Sequence, residues 1–393
     1  MGAGDRAQRR GEVPEKMTVA YLDPESGEEF PLGLPRWSAP GRRPLLLTPR
    51  MGIGRDEIAA GVRSLWRYRA ALALPDAAPI SMGEGMTPLV ARRVAGAEAL
   101  VKCEWVMPTG SFKDRGASVM LSFLRAQGIG AVLEDSSGNG GAAIAAYAAA
   151  GGMAATILAP AGTSAQKLLA MRAHGARVEL IPGDRQATSA AAVVKSEEIF
   201  YASHNWHPFF LEGTKTLAYE LWEELGFRAP DNVIVPCGAG SNVLGLAIGF
   251  GEIGRAGGIA RGPRIFAAQP ANCGPIAAAF AAGGEAPVAG AVRPTIAEGT
   301  AIAEPVRFGT VLRALRESGG GAIALSEAEI AEATLRLARM GLFVEPTAAQ
   351  PEAAFARLLS TGTIAPGETT VLVLTGSGLK AAARIAEIVE GKP

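Results

Sequence analysis

The sequence predicts an α/β fold with open, mostly parallel sheets covered by helices, and three observations carry that reading. From Thr87-Pro88 onward, short strand-like runs alternate with Ala- and Leu-rich helical stretches, the grammar of parallel strands joined by crossover helices. Turns rich in glycine, of which the 393-residue chain holds 50, stand where strand-like runs give way to helices. Hydrophobic residues make up 48% of the chain and aromatics only 6%, which suits small-residue helices laid on sheets.

Each element follows from its local pattern. Met1 to about Pro75 is Pro- and Arg-rich and largely irregular, becoming helical near Arg55 to Ala70 where apolar residues fall at spacings of three and four; it reads as an arm laid over a main body. Next come a strand at Ala99 to Cys103, a helix at Lys113 to Gln127, a strand at Ala131 to Glu134 and a buried helix at Gly141 to Ala150. The alternation continues with a strand at Ala155 to Ala159, a helix at Ser164 to His174 and a strand at Arg177 to Ile181. A second set comprises the helix Thr214 to Leu225, the strand Asn232 to Pro236, the turn Cys237 to Asn242 and the strand Arg264 to Gln269. A last apolar strand, Thr370 to Leu374, runs into Thr375-Gly-Ser-Gly378 and a closing helix.

Composition excludes several classes. Lys plus Arg and Asp plus Glu are 38 each, so no net charge draws the chain to nucleic acid or to an anionic membrane. The most apolar stretch, Ala142 to Ala150, is far shorter than the roughly 20 residues that span a bilayer. Cys103, Cys237 and Cys273 form no C-x-x-C pair, so they read as reduced thiols, and no motif for a metal is present. Met1 to Lys16 lacks the apolar run of a signal peptide, and Arg6 breaks a myristoylation pattern; cytoplasm is the expected location.

Three turns carry chemistry, because open parallel sheets bind ligands just beyond the carboxyl ends of their strands. In Pro108-Thr-Gly-Ser-Phe-Lys-Asp-Arg-Gly116 a lysine opens a helix, where the positive end of the helix dipole and desolvation both lower its pKa toward a nucleophilic amine. Ser136-Ser-Gly-Asn-Gly-Gly141 opens the Ala-rich helix with backbone N–H groups and hydroxyls, an anion cradle fit for a substrate α-carboxylate at Ser136, Ser137, Gly138 and Gly140. Cys237-Gly-Ala-Gly-Ser-Asn242 follows a strand, and its alternating glycines let N–H groups approach a phosphate. It is neither a Walker A loop nor a full dinucleotide fingerprint, and Gly213-Thr-Lys-Thr216 also falls short of a P-loop, leaving Lys215 as a helix-start residue.

In this order, the segments from Met82-Gly-Glu-Gly-Met-Thr-Pro88 to Gly376-Ser-Gly-Leu-Lys380 resemble the tryptophan-synthase-β-like (fold type II) pyridoxal-phosphate enzymes, most closely their threonine-synthase-like branch. Ser111-Phe-Lys-Asp-Arg-Gly116 is the most specific piece. The resemblance implies two three-layer αβα domains: a large cofactor domain from 76–128 and 208–393, a small domain from 129–207, and the arm at 1–75. It implies pyridoxal 5′-phosphate as cofactor, joined to Lys113 as a Schiff base beside Phe112. Asn139 would meet the 3′-oxygen, Gly238, Ala239, Gly240, Ser241 and Asn242 the 5′-phosphate, and Thr375, with Ser377 as nearby substitute, the pyridine nitrogen. A neutral partner on that nitrogen favours expulsion of a β or γ substituent over transamination.

The expected reaction is that of the threonine-synthase-like branch, O-phosphohomoserine and water to threonine and phosphate, with Lys113 shuttling protons. Lys167, Arg172, His204 and His207 are the candidate partners of a substrate phosphate. Two departures point elsewhere. His207-Pro-Phe-Phe-Leu-Glu-Gly213 stands where the family tends to read Asn-Pro-Tyr-Arg-Leu-Glu-Gly, and Asn139-Gly-Gly replaces Asn-Thr-Gly. Pro294-Thr-Ile-Ala-Glu-Gly299 moreover resembles a segment of dehydratases and racemases. The alternatives are therefore a serine/threonine-type ammonia-lyase giving a 2-oxo acid, and a non-catalytic protein that binds the cofactor or an amino acid. The expected partner is a small amino-acid substrate, and the expected assembly, from the resemblance, a homodimer.

Overall fold

The computed structural model describes residues 19–288 and 292–391. The readings made on Met1 to Lys16, including the leader and Arg6, lie outside the described residues. In chain order the elements are β1 (Ala20–Leu22), β2 (Glu29–Pro31), β3 (Leu46–Leu47), β4 (Leu89–Val94), β5 (Ala97–Cys103), α1 (Lys113–Ala126), β6 (Ala131–Glu134), α2 (Asn139–Ala150), β7 (Ala154–Pro160), α3 (Ala165–Ala173), β8 (Arg177–Ile181), α4 (Arg185–Lys195) and β9 (Phe200–Tyr201). There follow α5 (Pro208–Thr214), α6 (Thr216–Glu224), β10 (Asn232–Pro236), α7 (Ser241–Arg255), β11 (Arg264–Pro270), α8 (Pro275–Ala281), α9 (Phe308–Glu317), β12 (Gly321–Leu325), α10 (Glu327–Arg339), α11 (Pro346–Ser360), β13 (Thr370–Leu374) and α12 (Ala382–Val389).

Two parallel-rich sheets dominate. One has six strands in the order β12-β11-β10-β13-β5-β4, all parallel except the antiparallel edge strand β4; the other has four parallel strands in the order β8-β7-β6-β9. Strands β10 and β13 are buried along their whole length, as parallel strands covered by helices on both faces must be, and their runs Asn-Val-Ile-Val-Pro and Thr-Val-Leu-Val-Leu are correspondingly apolar. Val233 and Val371 point to one core with Leu217, Trp222 and Phe250, whereas Ile234 and Leu372 point to the opposite core with Phe355 and Leu337, the alternation of the strand pleat. A third core, with Leu121, Phe123, Ile144 and Ile157, joins α1 and α2 to the four-stranded sheet.

The N-terminal arm is more ordered than its composition suggests. β1, β2 and β3 form a small antiparallel sheet, and Tyr21 from it is fully buried against Phe123 and Phe209. The helix expected over Arg55 to Ala70 is instead two 3₁₀ pieces, Arg55–Glu57 and Leu65–Ala71. Gly61 lies between them, and Ser64 caps the second through Trp66 N, so the spacing of apolar residues is met by two short pieces rather than one helix. The helix expected from Thr214 begins earlier: Pro208 supplies the first residue of α5, and the chain bends at Lys215 into α6. Lys215 is also no ordinary helix-start residue, for its fully buried ammonium bonds Glu212 at 2.7 Å and Glu252 at 2.8 Å.

Three buried devices set α1, the helix that begins with Lys113. Arg115 bonds Glu104 through two nitrogens, both at 2.7 Å, and Glu220 at 2.8 Å, tying β5's end to α6. Glu84 of the Met-Gly-Glu-Gly segment accepts from Trp66 Nε1, Ser118 Oγ and Tyr147 OH at 2.7, 2.6 and 2.9 Å, locking the arm, α1 and α2 together. At Gly116 a Cβ would lie 2.4 Å from the Phe210 ring, so only glycine lets α1 cross α5 this closely.

Candidate active site

Lys113 is the first residue of α1, and its turn is clamped from two sides. Thr109 N donates to Asp114 Oδ2 at 2.7 Å, Phe112 N donates to Thr375 O at 3.0 Å, and Ser377 N donates to Gly110 O at 3.0 Å. The turns after the adjacent parallel strands β5 and β13 are thereby zipped together, which brings Lys113 and Thr375 to one place from opposite ends of the chain. The Lys113 ammonium has no hydrogen-bond or ion-pair partner among the described residues; it sits 4.9 Å from the ring centroid of Phe112 and 5.6 Å from that of Phe210. Burial lowers its pKa to about 8, with Arg185 acting in the same direction and Glu134 and Glu345 opposing. A fraction of the amine is thus neutral and nucleophilic near neutral pH.

The second turn, after β6, opens α2. Ser136 Oγ accepts from Gly138 N at 3.3 Å, and Gly141 is required because a Cβ there would lie 1.9 Å from Ser136 O. The third turn, after β10, opens α7. Gly240 adopts the left-handed conformation at φ +88°, where a Cβ would also meet Val311 at 2.3 Å, and buried Asn242 leaves its Nδ2 without a partner. Both turns aim the N-terminus of a helix at the same space, a strong arrangement for anions.

That space is a cavity of about 500 Å³ lined by all three turns. Phe112, Lys113, Ser136, Ser137, Gly138, Asn139 and Gly140 line it from one side of the chain order, and Gly238, Ala239, Gly240, Ser241, Asn242 and Thr375 from the other. Its size is that of a small-molecule site. Of the residues weighed for a substrate phosphate, Lys167 and His204 line the cavity, whereas Arg172 and His207 do not. His207 is instead buried among Tyr21, Phe123 and Phe209, and accepts Phe209 N at 3.3 Å through Nδ1. Ser377 is not a lining residue either; its hydroxyl caps a short 3₁₀ turn by accepting Leu379 N at 3.3 Å. Glu298 of the Pro294–Gly299 segment lines the cavity and pairs with Lys167 and, at 3.8 Å, with Arg384.

Several lining residues carried no sequence signal. Glu345, at the N-cap of α11, accepts from Asn139 Nδ2 on its two carboxylate oxygens, at 3.0 and 3.3 Å, and burial raises its carboxyl against the opposing pull of Lys380 and Asn139. Lys380 reaches back to Thr109 O at 2.7 Å, and burial lowers its pKa. Arg185, the first residue of α4, lines the cavity with no ion-pair partner among the described residues. Glu-Pro before a helix, or Arg after an Asp N-cap, is ordinary helix-start chemistry, so only tertiary contact distinguishes these residues. No group of His, Cys, Asp and Glu among the described residues is arranged to hold a metal, and Cys103, Cys237 and Cys273 are free and buried.

The arrangement offers a neutral-capable amine, two helix N-termini for anionic groups and an unpartnered buried amide. Residues 80–376 match the family model described as "Pyridoxal-phosphate dependent enzyme". The chain is 33% identical over 346 residues to a threonine synthase of Methanosarcina acetivorans, covering 86% of this chain and 85% of that protein. It is 36% identical over 325 residues to a threonine synthase of Methanocaldococcus jannaschii, covering 80% of each. Among solved structures, an L-serine ammonia-lyase from Rhizomucor miehei superposes with a TM-score of 0.68 at 20% identity, over 79% of this chain and 99% of that one, a likeness of fold.

Proposed function

Because the chain belongs to the pyridoxal-phosphate dependent enzyme family, in its threonine-synthase-like branch, we propose that it converts O-phosphohomoserine and water to threonine and phosphate, with Lys113 as its proton-transfer residue. The observation that carries the reading is an unpartnered Lys113 amine in a cavity framed by three glycine-rich helix starts. The residues present fit the cofactor. Gly240, whose left-handed turn excludes any side chain, and Asn242, whose buried Nδ2 lacks a partner, would hold its phosphate with Gly238, Ala239 and Ser241. Asn139 and Thr375 would orient the ring from its two sides, and Phe112 would flank Lys113. Bound there, pyridoxal phosphate supplies an aldehyde that condenses with amines and a conjugated ring that spreads negative charge from a substrate carbon.

The protein's own groups then divide the work. Ser136, Ser137, Gly138 and Gly140 hold the substrate α-carboxylate at the start of α2, where the helix dipole favours an anion. Lys113, free of ion pairs and depressed to about 8, takes the α proton as a base and returns protons as an acid. Burial keeps part of that amine neutral, beside the rings of Phe112 and Phe210.

One observation favours a second reading, an ammonia-lyase that forms a 2-oxo acid from serine or threonine. The segment from His207 to Gly213 gives the cavity no cation: His207 is sealed in an aromatic cluster, and Phe210, where the threonine-synthase-like pattern tends to read arginine, is fully buried. The two readings separate in one assay of the cofactor-loaded protein. Phosphate and threonine formed from O-phosphohomoserine support the synthase, and 2-oxo acid formed from L-serine or L-threonine supports the lyase. Absence of both, with a Lys113→Ala control, overturns both.

A further inference from the structure

The cavity contains a second proton-carrying group besides Lys113. Glu134, the last residue of β6, is fully buried, and its carboxylate is committed to one loop: Oε2 accepts His204 N at 3.0 Å and Oε1 lies 3.0 Å from His204 Nδ1. Oε1 also accepts Asp135 N at 3.0 Å. The ring so held lines the cavity, packs edge-on against Phe210 at 5.7 Å and presses on the second turn, where a Cβ at Gly140 would lie 2.7 Å from it. Its Nε2 has no hydrogen-bond partner among the described residues. His207 makes a useful contrast, since its unpartnered Nε2 is sealed away from the cavity. Lys113 also packs on the Phe210 ring, so both groups border the space that a substrate side chain would fill.

We propose that His204 is a catalytic acid of this site, its Nε2–H directed at the oxygen substituent of the substrate side chain, with Glu134 as the positioning residue that holds its ring and replaces its proton. The inference rests on the reading that the chain expels an oxygen substituent from an amino acid. In the lyase reaction the electron pair freed when Lys113 removes the α proton drives out the β substituent; in the synthase reaction Lys113 also takes a proton from Cβ, and the pair freed there drives out the γ substituent. In both, the C–O bond breaks with its pair on oxygen. The Nε2–H bond gives its proton to that oxygen, while the carboxyl proton of Glu134 passes to Nδ1. The pair ends as a carboxylate and an Nδ1–H imidazole, one proton poorer. In the synthase reaction the adding water returns a proton to Nε2 and Nδ1–H goes back to Glu134; in the lyase reaction solvent water refills the pair.

The electrostatics agree with this tautomer. Burial raises Glu134 to about 7, against hydrogen bonds from His204 N and Asp135 that lower it, and burial holds His204 well below its usual range. The proton of the pair therefore resides on the carboxyl, which leaves Nε2–H facing outward. The other groups facing the pair are Lys113 from α1, Asp135 beyond β6 with Ser203 bonded to it, Tyr201 at the end of β9, and Arg185 from α4. An acid poised near neutrality is the efficient choice for proton delivery.

The test compares cofactor-loaded wild type, His204→Asn and Glu134→Gln. Visible absorbance of the bound cofactor first shows that each variant is folded and loaded. His204→Asn is expected to lose about a hundredfold in release of phosphate or 2-oxo acid, while exchange of the substrate α proton in deuterated water stays within about threefold. Glu134→Gln, which keeps the size of the side chain and carries no acid proton but gives up one of the two backbone N–H bonds, is expected to lose the inflection of kcat near pH 7. Release by His204→Asn within about threefold of wild type overturns the proposal. A second readout is independent of turnover: calorimetry of inorganic phosphate binding at about pH 8 in buffers of different ionisation enthalpy. Wild type takes up a proton with the anion and His204→Asn does not, whereas equal uptake overturns the proposal. If wild type acts on neither substrate, the functional reading falls, and the phosphate measurement alone decides the pair.

Discussion

Asn139 donates its amide N–H to the carboxylate of Glu345 at 3.0 Å, joining the start of α2 to the start of α11 across 206 positions of sequence. This bond couples a helix of the four-stranded sheet to one packed on the six-stranded sheet. Replacing Asn139 by Ala leaves a buried carboxylate with a lost partner, a cost of about 1–3 kcal/mol. The expected outcome is roughly a tenfold or greater weakening of cofactor binding, which equilibrium dialysis followed by absorbance measures directly.

Lys113 sets a conflict between function and stability. Its pKa is about 8 in the folded chain against 10.5 for the free side chain, so the unfolded chain holds more protons between those values and stability rises with pH across that window. In the cofactor-free protein, Lys113→Met is expected to raise unfolding stability at pH 7 by about 1–3 kcal/mol, and the advantage should shrink as pH approaches 10.5. Urea unfolding at several pH values checks both statements. The same variant abolishes turnover.

Gly240→Ala combines two penalties, a left-handed backbone at φ +88° and a Cβ placed 2.3 Å from Val311 Cγ2. A loss of about 1–3 kcal/mol in stability and a collapse of cofactor affinity are expected. Adding Val311→Ala removes the collision but not the backbone strain, so it should restore only part of the stability in thermal unfolding.

Arg115 neutralises Glu104 and Glu220 where all three side chains are buried. Arg115→Met leaves Glu104 without a cation and Glu220 with Lys102 alone, at 2.7 Å, and is expected to destabilise the protein by about 3–5 kcal/mol. The double change that also converts Glu104 to Gln, leaving Glu220 paired with Lys102, should recover part of that loss, which chemical denaturation would show.

The parallel strands were legible because strands buried on both faces must be apolar throughout, as Asn232–Pro236 and Thr370–Leu374 are, and because their turns need glycine at sterically closed positions such as Gly141 and Gly240. The arm was legible only in part. Tyr21 and Phe30 look like isolated apolar residues in a polar stretch until the small sheet packs them on Phe123 and Phe209. The edge strand β4, Leu89–Val94, has no strand signature in the sequence because its arginines and half-exposed pattern imitate a loop, as suits a sheet edge.

By itself the sequence determined the α/β class, the order of strands and helices around the three turns, and the lysine at the start of α1, because these depend on local periodicity and on backbone sterics. Only the tertiary structure decided which side chains meet in the cavity. Glu345, Arg185 and the Glu134–His204 pair are placed there by contacts between segments distant in sequence, and burial, which exists only after the sheets have packed, shifts the protons that they and Lys113 carry.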